Sequence, residues 1–98
     1  MFVPNNGGSF RMVIDDVFFI KGRGVVVTGK VESGTVKMGD KVVISGANGV
    51  TIMTQVIGVE GFRKPNFVAQ VGDNCGLVLK DVEKGQLTAG MVVTEADR

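Results

Sequence analysis

Hydrophobic and polar residues alternate over short stretches along most of this chain, and glycine-rich turns separate the stretches. The stretches are rich in β-branched and aromatic residues, which favour strands. No stretch of ten residues has the apolar period of a helix, and "VEKGQL" could form one helical turn at most. The pattern therefore predicts strands or short extended pieces at residues 10–20, 25–31, 35–40, 41–45, 50–62, 67–71, 74–82 and 91–96.

Six or seven short strands joined by glycine turns are typical of a small all-β sandwich or barrel, and closure of a barrel removes exposed strand edges. We expect residues 1–9, which end in "NNGGS", to be a flexible lead-in, and residues 10–96 to form the single domain. Gly58 and Gly61 indicate a bulge or bend in the long strand. Gly29 lies inside a strand, where a missing side chain lets another part of the chain approach closely.

"GRGVVVTGK" contains the spacing of a phosphate-binding loop, with Gly24, Gly29 and Lys30 at the defining positions. The context of this spacing excludes such a loop. Val31 stands where the magnesium-binding Ser or Thr is needed, and stiff β-branched residues fill the interval between the glycines. No helix pattern follows. We therefore expect no nucleotide-binding loop and no bound cofactor.

Composition narrows the function classes further. The 98 residues carry a net charge of +1, so RNA binding would have to be local and could not rest on a general positive excess. Histidine is absent, and with it the commonest general base and metal ligand. Cys75 is the single cysteine and is expected to be a buried small hydrophobe, compatible with a cytoplasmic protein. We expect a cytoplasmic protein that is not an enzyme and makes no membrane contact.

Asp15 and Asp16 are adjacent acidic residues inside a predicted strand. Neighbours on a strand point to opposite faces, so one aspartate is expected to face inward or toward a strand end. For the same reason the two carboxylates are not expected to act together on a substrate or a metal. We interpret the pair as structural.

Three ordered blocks of the sequence resemble the second domain of elongation factor Tu and related translational GTPases. They are "IDDVFFIKGRGVVVTGKVESGTVKMGDKVVI", "GVEGFRK" and "VGDNCGLVLKDVEKGQLTAGMVV", and the resemblance covers about residues 12–93. It implies a six-stranded Greek-key β-barrel, in agreement with the strand pattern. It also implies a noncatalytic barrel that, beside a GTPase domain, helps to hold the aminoacylated 3′ end of transfer RNA and faces the small ribosomal subunit.

The resemblance also implies site residues. Glu60 matches the glutamate at the pocket for the terminal adenosine, Arg63 matches the arginine of the same block, and Lys64 follows it. Val26 and Val78 match the apolar wall of that pocket, and Arg23 lies in the Gly-Arg-Gly turn near ribosomal RNA. The predicted RNA-binding residues are Arg23, Val26, Glu60, Arg63, Lys64 and Val78.

Two alternatives stay open from the sequence. The sequence holds neither a phosphate loop nor an Asn-Lys-x-Asp segment, so we expect a stand-alone barrel, with GTP relevant only by family association. Such a barrel would contact transfer RNA, ribosomal RNA, a GTPase or another protein, or it would have lost the RNA role and assemble with itself. Likewise one group of basic residues either forms a local positive face or is ordinary surface charge balanced by Glu32, Asp40 and Glu60. The group is Arg11, Lys21, Arg23, Lys30, Arg63 and Lys64.

Overall fold

Eight short strands and one helical turn make up the computed structural model, which describes residues 9–61 and 68–96. The helical turn is a 3-10 turn at Lys84–Gln86, within the stretch predicted to allow one turn at most. The strands are β1 (Arg11–Ile20), β2 (Gly24–Ser33), β3 (Thr35–Lys37), β4 (Lys41–Ser45), β5 (Thr51–Gly61), β6 (Val68–Gln70), β7 (Asn74–Leu79) and β8 (Val92–Glu95).

Six of these strands close into an antiparallel barrel in the order β1-β2-β7-β5-β4-β8. The ring closes where Met12 of β1 lies opposite Val93 of β8. The two short strands β3 and β6 pair only with each other, and Val36 lies opposite Ala69 in that ribbon. The predicted fold class, an all-β six-stranded barrel, is confirmed.

Inward-facing side chains fill the barrel, so its interior is a packed core. Within the described residues no polar or charged side chain is buried. Each fully buried Val, Leu, Ile, Phe or Met contributes roughly 1.5–3 kcal/mol relative to an exposed one. The largest fully buried side chains are those of Phe10, Met12, Ile14, Ile44, Leu77, Val27, Val31, Val36, Val42, Val56 and Val93.

Gly29 allows a close approach and Gly58 lies at a bulge, as predicted, whereas Gly61 pairs with Cys75 without a register shift. A Cβ on Gly29 would overlap the carbonyl oxygen of Val13 and lie 3.0 Å from Cγ of Met12. The missing side chain is therefore what lets β1 approach β2 this closely. On β5, the register against β7 shifts between Val56 and Gly58, which is the signature of a β-bulge.

Asp15 and Asp16 are both exposed, so neither faces inward, and that part of the expectation is wrong. The cause is a register shift in β1: Ile14 pairs with Gly29 and Asp16 pairs with Thr28, which leaves Asp15 as the extra residue of a bulge. The extra residue breaks the strict alternation of faces. Two neighbouring carboxylates can then both reach solvent.

Cys75 is buried, as expected from its apolar neighbours. Its Sγ lies 3.9 Å from the Sδ of Met12, on the inner side of the barrel. Among the described residues, no helix has the length and apolar character needed to cross a membrane.

Candidate nucleic-acid interface

The tight turn between β1 and β2 sets the position of Arg23. The backbone N–H of Arg23 donates a hydrogen bond to the carbonyl oxygen of Ile20 at 2.9 Å, which closes a four-residue turn. Gly22 inside the turn has φ 87°, a conformation that glycine adopts without steric cost. The predicted Gly-Arg-Gly turn is thus formed, and it presents Arg23 at the tip of the hairpin.

Two rows of residues cross the outer face of β2, β7 and β5 next to this hairpin. In one row Gly76 lies between Thr28 and Glu60, and in the other Val78 lies between Val26 and Gly58. A Cβ on Gly76 would come within 3.1 Å of Val26 and 3.7 Å of Glu60. The absence of a side chain at Gly76 therefore leaves a depression between the valine row and the carboxylate.

Arg23 and Glu60 form an ion pair over this depression. The pair links the hairpin to β5, although β2 and β5 are separated by β7 in the barrel. Both side chains are half exposed, at 50% and 46%. Both charged groups can therefore exchange their present partner for a ligand without opening the core.

A concavity of about 690 Å³ lies beneath the ion pair. Phe18 and Ile20 of β1 form one wall, Val26 contributes an apolar patch, and Arg23 and Glu60 stand at its edge. The remaining lining residues are Asp15, Asp16, Thr28, Gly29, Gly61, Asn74, Cys75 and Gly76. This size is within the range of small-ligand sites, which are largely apolar with a few convergent polar groups.

The concavity combines the groups that recognise an unpaired nucleotide. Aromatic and aliphatic side chains offer a surface on which a base can stack. A carboxylate accepts hydrogen bonds from a ribose hydroxyl or a base amino group, and a guanidinium binds a phosphate. Phe18, Glu60 and Arg23 supply these three functions within one depression.

The structure brings together three of the predicted site residues, Arg23, Val26 and Glu60. Val78 lies beside Val26 in the outer-face row, but it is buried and does not line the concavity. The expected roles of Arg63 and Lys64 stay predictions, because both residues lie outside the described part of the chain.

Sequence reasoning missed Phe18 and Ile20. Their signal is the two-residue period of a strand, since Asp16, Phe18 and Ile20 share the face of β1 that lies beside Val26 and Thr28. The resemblance included the acidic pair Asp15–Asp16 and the turn but assigned no role to the aromatic residues near the end of β1. Phe18 and Ile20 are exposed by 46% and 42%, which is high for large apolar residues.

Ion pairs support the interpretation of several basic residues as ordinary, balanced surface charge. Arg11 pairs with Glu32, Lys37 with Asp40 and Arg23 with Glu60. Each of the three acidic residues therefore neutralises a basic side chain. Arg11 lies at the opposite end of β1 from the hairpin and does not line the concavity. The local positive face is therefore smaller than the list of basic residues indicated.

Cys75 borders the concavity but is not a nucleophile at neutral pH. Burial, with a further contribution from the charge of Asp73, raises the pKa of its thiol to about 11. Thiolate is the reactive form, so the group stays protonated and inert. Within residues 9–61 and 68–96, no group of three or more Cys, Asp or Glu side chains is arranged to hold a metal ion.

Most of the chain matches the model of a known protein family. The family model described as "Elongation factor Tu domain 2" matches residues 24–94 of the 98-residue chain. The match begins at the first residue of β2 and ends inside β8. It includes Val26, Glu60 and Gly76, while the β1 wall of the concavity and Arg23 precede it.

Proposed function

Because this chain belongs to the elongation factor Tu domain 2 family, we propose that it is a noncatalytic binding module related to translation factors, which holds an unpaired RNA end in the concavity. The observation that carries the proposal is the joint presence of an apolar wall, a carboxylate and a guanidinium around one depression on the outer face of the barrel. The resemblance of Glu60 to the glutamate at the terminal-adenosine pocket supports the same ligand.

In the proposed binding step, Arg23 and Glu60 exchange each other for groups of the nucleotide. Without RNA, Arg23 and Glu60 neutralise each other. A terminal nucleotide would stack its base on the surface formed by Phe18 and Val26, and its ribose hydroxyl would donate a hydrogen bond to Glu60, while Arg23 turns to the phosphate. Each group then has a hydrogen-bond partner in both states: the guanidinium exchanges a carboxylate for a phosphate, and the half-exposed carboxylate exchanges the guanidinium for a hydroxyl and water.

The module is proposed to act in the cytoplasm without chemistry of its own. In support of this, the carboxylates at the concavity stand beside a protonated thiol, and the sequence contains no histidine to act as a base. A GTPase is a further candidate partner by family association only. The protein alone should not bind GTP, and a rise in melting temperature on addition of GTP would contradict this assignment.

Fluorescence anisotropy with a short single-stranded RNA labelled at its 5′ end tests the proposal. Arg23→Ala and Glu60→Gln are each expected to weaken binding about tenfold, equivalent to about 1.4 kcal/mol. Arg11→Ala and Glu32→Gln are matched controls, because they alter net charge in the same way at a half-exposed pair outside the concavity. Equal losses in both sets would show that only general electrostatics is involved.

A second measurement separates recognition of the RNA end from attraction to phosphate. Removing the terminal 2′-hydroxyl is expected to weaken binding to the wild-type protein but to change binding to Glu60→Gln little. Raising the salt concentration is expected to weaken binding with a shallow slope, since few phosphates are contacted. An RNA whose terminal hydroxyl has no influence on wild-type binding would rule out the proposed role of Glu60.

A second candidate is an assembly barrel that has lost the RNA role. It is favoured by a specific observation, the exposed apolar residues at the end of β1. An absence of RNA binding together with a stable oligomer would select this alternative.

A further inference from the structure

The second half of β1 has one side with which no strand pairs in the described part of the chain, although the 3-10 turn at Lys84–Gln86 contacts β1. On one side, β1 pairs with β2 as far as Ile20. On the other side, β8 pairs only with Arg11–Val13, and Ile14 makes the last backbone contacts, with Gly90 and Met91. In the described part of the chain, no strand pairs with residues 15–20 on that side.

This free edge is apolar in its middle. Phe18, Phe19 and Ile20 are exposed by 46%, 63% and 42%. Proteins normally blunt such an edge with charges, prolines or a covering segment, because an open edge is a template for another strand. Here the charged residues stand only at the two ends, with Asp15 and Asp16 at the start and Lys21 just after the strand.

We propose that the free edge of β1 pairs with the same edge of a second copy of this chain, antiparallel and around a two-fold axis at Phe18. An edge that is acidic at one end, basic at the other and apolar between is complementary to itself when it is turned end for end. The charges of the edge therefore favour a second copy over an unrelated strand.

The two-fold symmetry fixes which residues meet. An axis perpendicular to the sheet keeps the same face up in both copies, so Phe18 lies opposite Phe18 and Val17 opposite Phe19. Asp15 of each copy then lies opposite Lys21 of the other copy. The same register sets Asp16 against Ile20. Moving the axis to Val17 would set both Asp15 and Asp16 against phenylalanines, and moving it to Phe19 would set Lys21 against Val17 and bring the turn residue Arg23 opposite Asp15. The axis at Phe18 is therefore the one that pairs Asp15 with Lys21 and keeps apolar residues at its centre.

Edge-to-edge pairing extends the sheet within its own plane and leaves the outer face open. The concavity therefore remains accessible in the dimer. Phe19 belongs to the edge but does not line the concavity, so a substitution there separates the two proposals. The dimer does not depend on the RNA-binding role.

Cross-linking tests the axis directly. In Phe18→Cys the two new cysteines would lie opposite each other, with Cα atoms about 4.5–5.5 Å apart, which suits a disulfide. Oxidation should give a covalent dimer that a reducing agent reverses. The parent protein is the negative control, since its single cysteine is buried. Met53→Cys, at a site exposed by 69%, is the control for cross-linking by random collision. Equal cross-linking at positions 18 and 53, or none at position 18, would overturn the proposal.

Sedimentation over a range of concentrations tests the interface without a covalent bond. Phe19→Lys should give monomers that still bind RNA as the parent does, whereas Met53→Lys should remain dimeric. Lys21→Glu should raise the dimer dissociation constant about tenfold, and adding Asp15→Lys to it should restore the parent value. A parent protein that stays monomeric at its highest soluble concentration, or a double variant no better than Lys21→Glu, would overturn the proposal.

Discussion

The guanidinium of Arg23 pairs with the carboxylate of Glu60 across strand β7, joining two parts of the barrel that are not neighbours in the sheet. Gly76 makes this geometry possible, because a larger residue on β7 would fill the space between Val26 and Glu60. The pair lies over an apolar depression and not in the core. We infer that its role is to hold two charges ready for a ligand, with little contribution to folding.

Glu60→Gln should therefore lower the free energy of unfolding by less than about 1 kcal/mol, since half-exposed ion pairs stabilise proteins weakly. Urea denaturation measures this change, and Glu32→Gln, which breaks the similarly exposed pair with Arg11, should give a comparable value. A loss above about 2 kcal/mol for Glu60→Gln alone would show that the pair is a structural element.

Gly76→Ala should weaken RNA binding about tenfold while the barrel stays folded. The added methyl group would lie 3.1 Å from Val26 and would narrow the depression. Binding is measured by anisotropy, and the fold is checked by circular dichroism and thermal melting. Gly85→Ala is the control, because a Cβ there has no neighbour within 4 Å. Unchanged affinity in Gly76→Ala would place the ligand elsewhere.

Gly29→Ala should destabilise the protein by about 1–3 kcal/mol, because the new Cβ would overlap the Val13 carbonyl and force β1 away from β2. For a domain of this size, each kcal/mol corresponds to a fall of roughly 4–8 °C in melting temperature. Gly61→Ala adds the same methyl group in another strand, where it meets nothing within 4 Å, and should be nearly neutral. Similar melting temperatures for both variants would argue against the close approach at Gly29.

Cys75 should make stability fall with alkaline pH. Its pKa is about 11 in the folded protein against 9.0 for an unperturbed thiol, so the unfolded chain releases the proton first as pH rises. The stabilisation from the protonated thiol is complete below pH 9 and is lost by about pH 11, for a total of about 2–3 kcal/mol.

The measurement compares the parent with Cys75→Ala at several pH values from 8 to 11, and the difference between their unfolding free energies should shrink toward high pH. The parent thiol should also resist alkylation at pH 7.5 until urea unfolds the chain. Rapid alkylation of the folded protein would contradict both the burial and the raised pKa.

Much of the strand pattern follows from local chemistry. The stretch 41–45 forms β4 as predicted, β1 begins one residue later than predicted, and β5 begins one residue later and is described as far as Gly61, the last described residue before the gap. β7 ends at Leu79 and not at residue 82, since Asp81 has φ 56°, a left-handed conformation that a strand does not accommodate. β2 continues to Ser33 because pairing with Arg11 outweighs the turn preference of the nearby Gly34.

The candidate site was less predictable because it depends on pairing order. The resemblance selected Val26 and Glu60, and no local pattern shows that β7 lies between their strands. The pairing of Arg23 with Glu60 and the wall formed by Phe18 and Ile20 require that order. The error at Asp15 has the same origin, because a bulge depends on the register against β2 and not on the residues of β1 alone.

The three consecutive valines of β2 are all buried, but Val25 and Val27 belong to the core while Val26 lies on the outer face. Substitutions at these positions are consequently constrained in different ways, by packing in the core at positions 25 and 27 and by the surface of the concavity at position 26. Changes at position 27 are expected to cause misfolding whatever the ligand, whereas in the proposed binding role changes at position 26 would alter ligand preference while the barrel persists. Adjacent residues of one strand would then answer to two separate demands, one from folding and one from recognition.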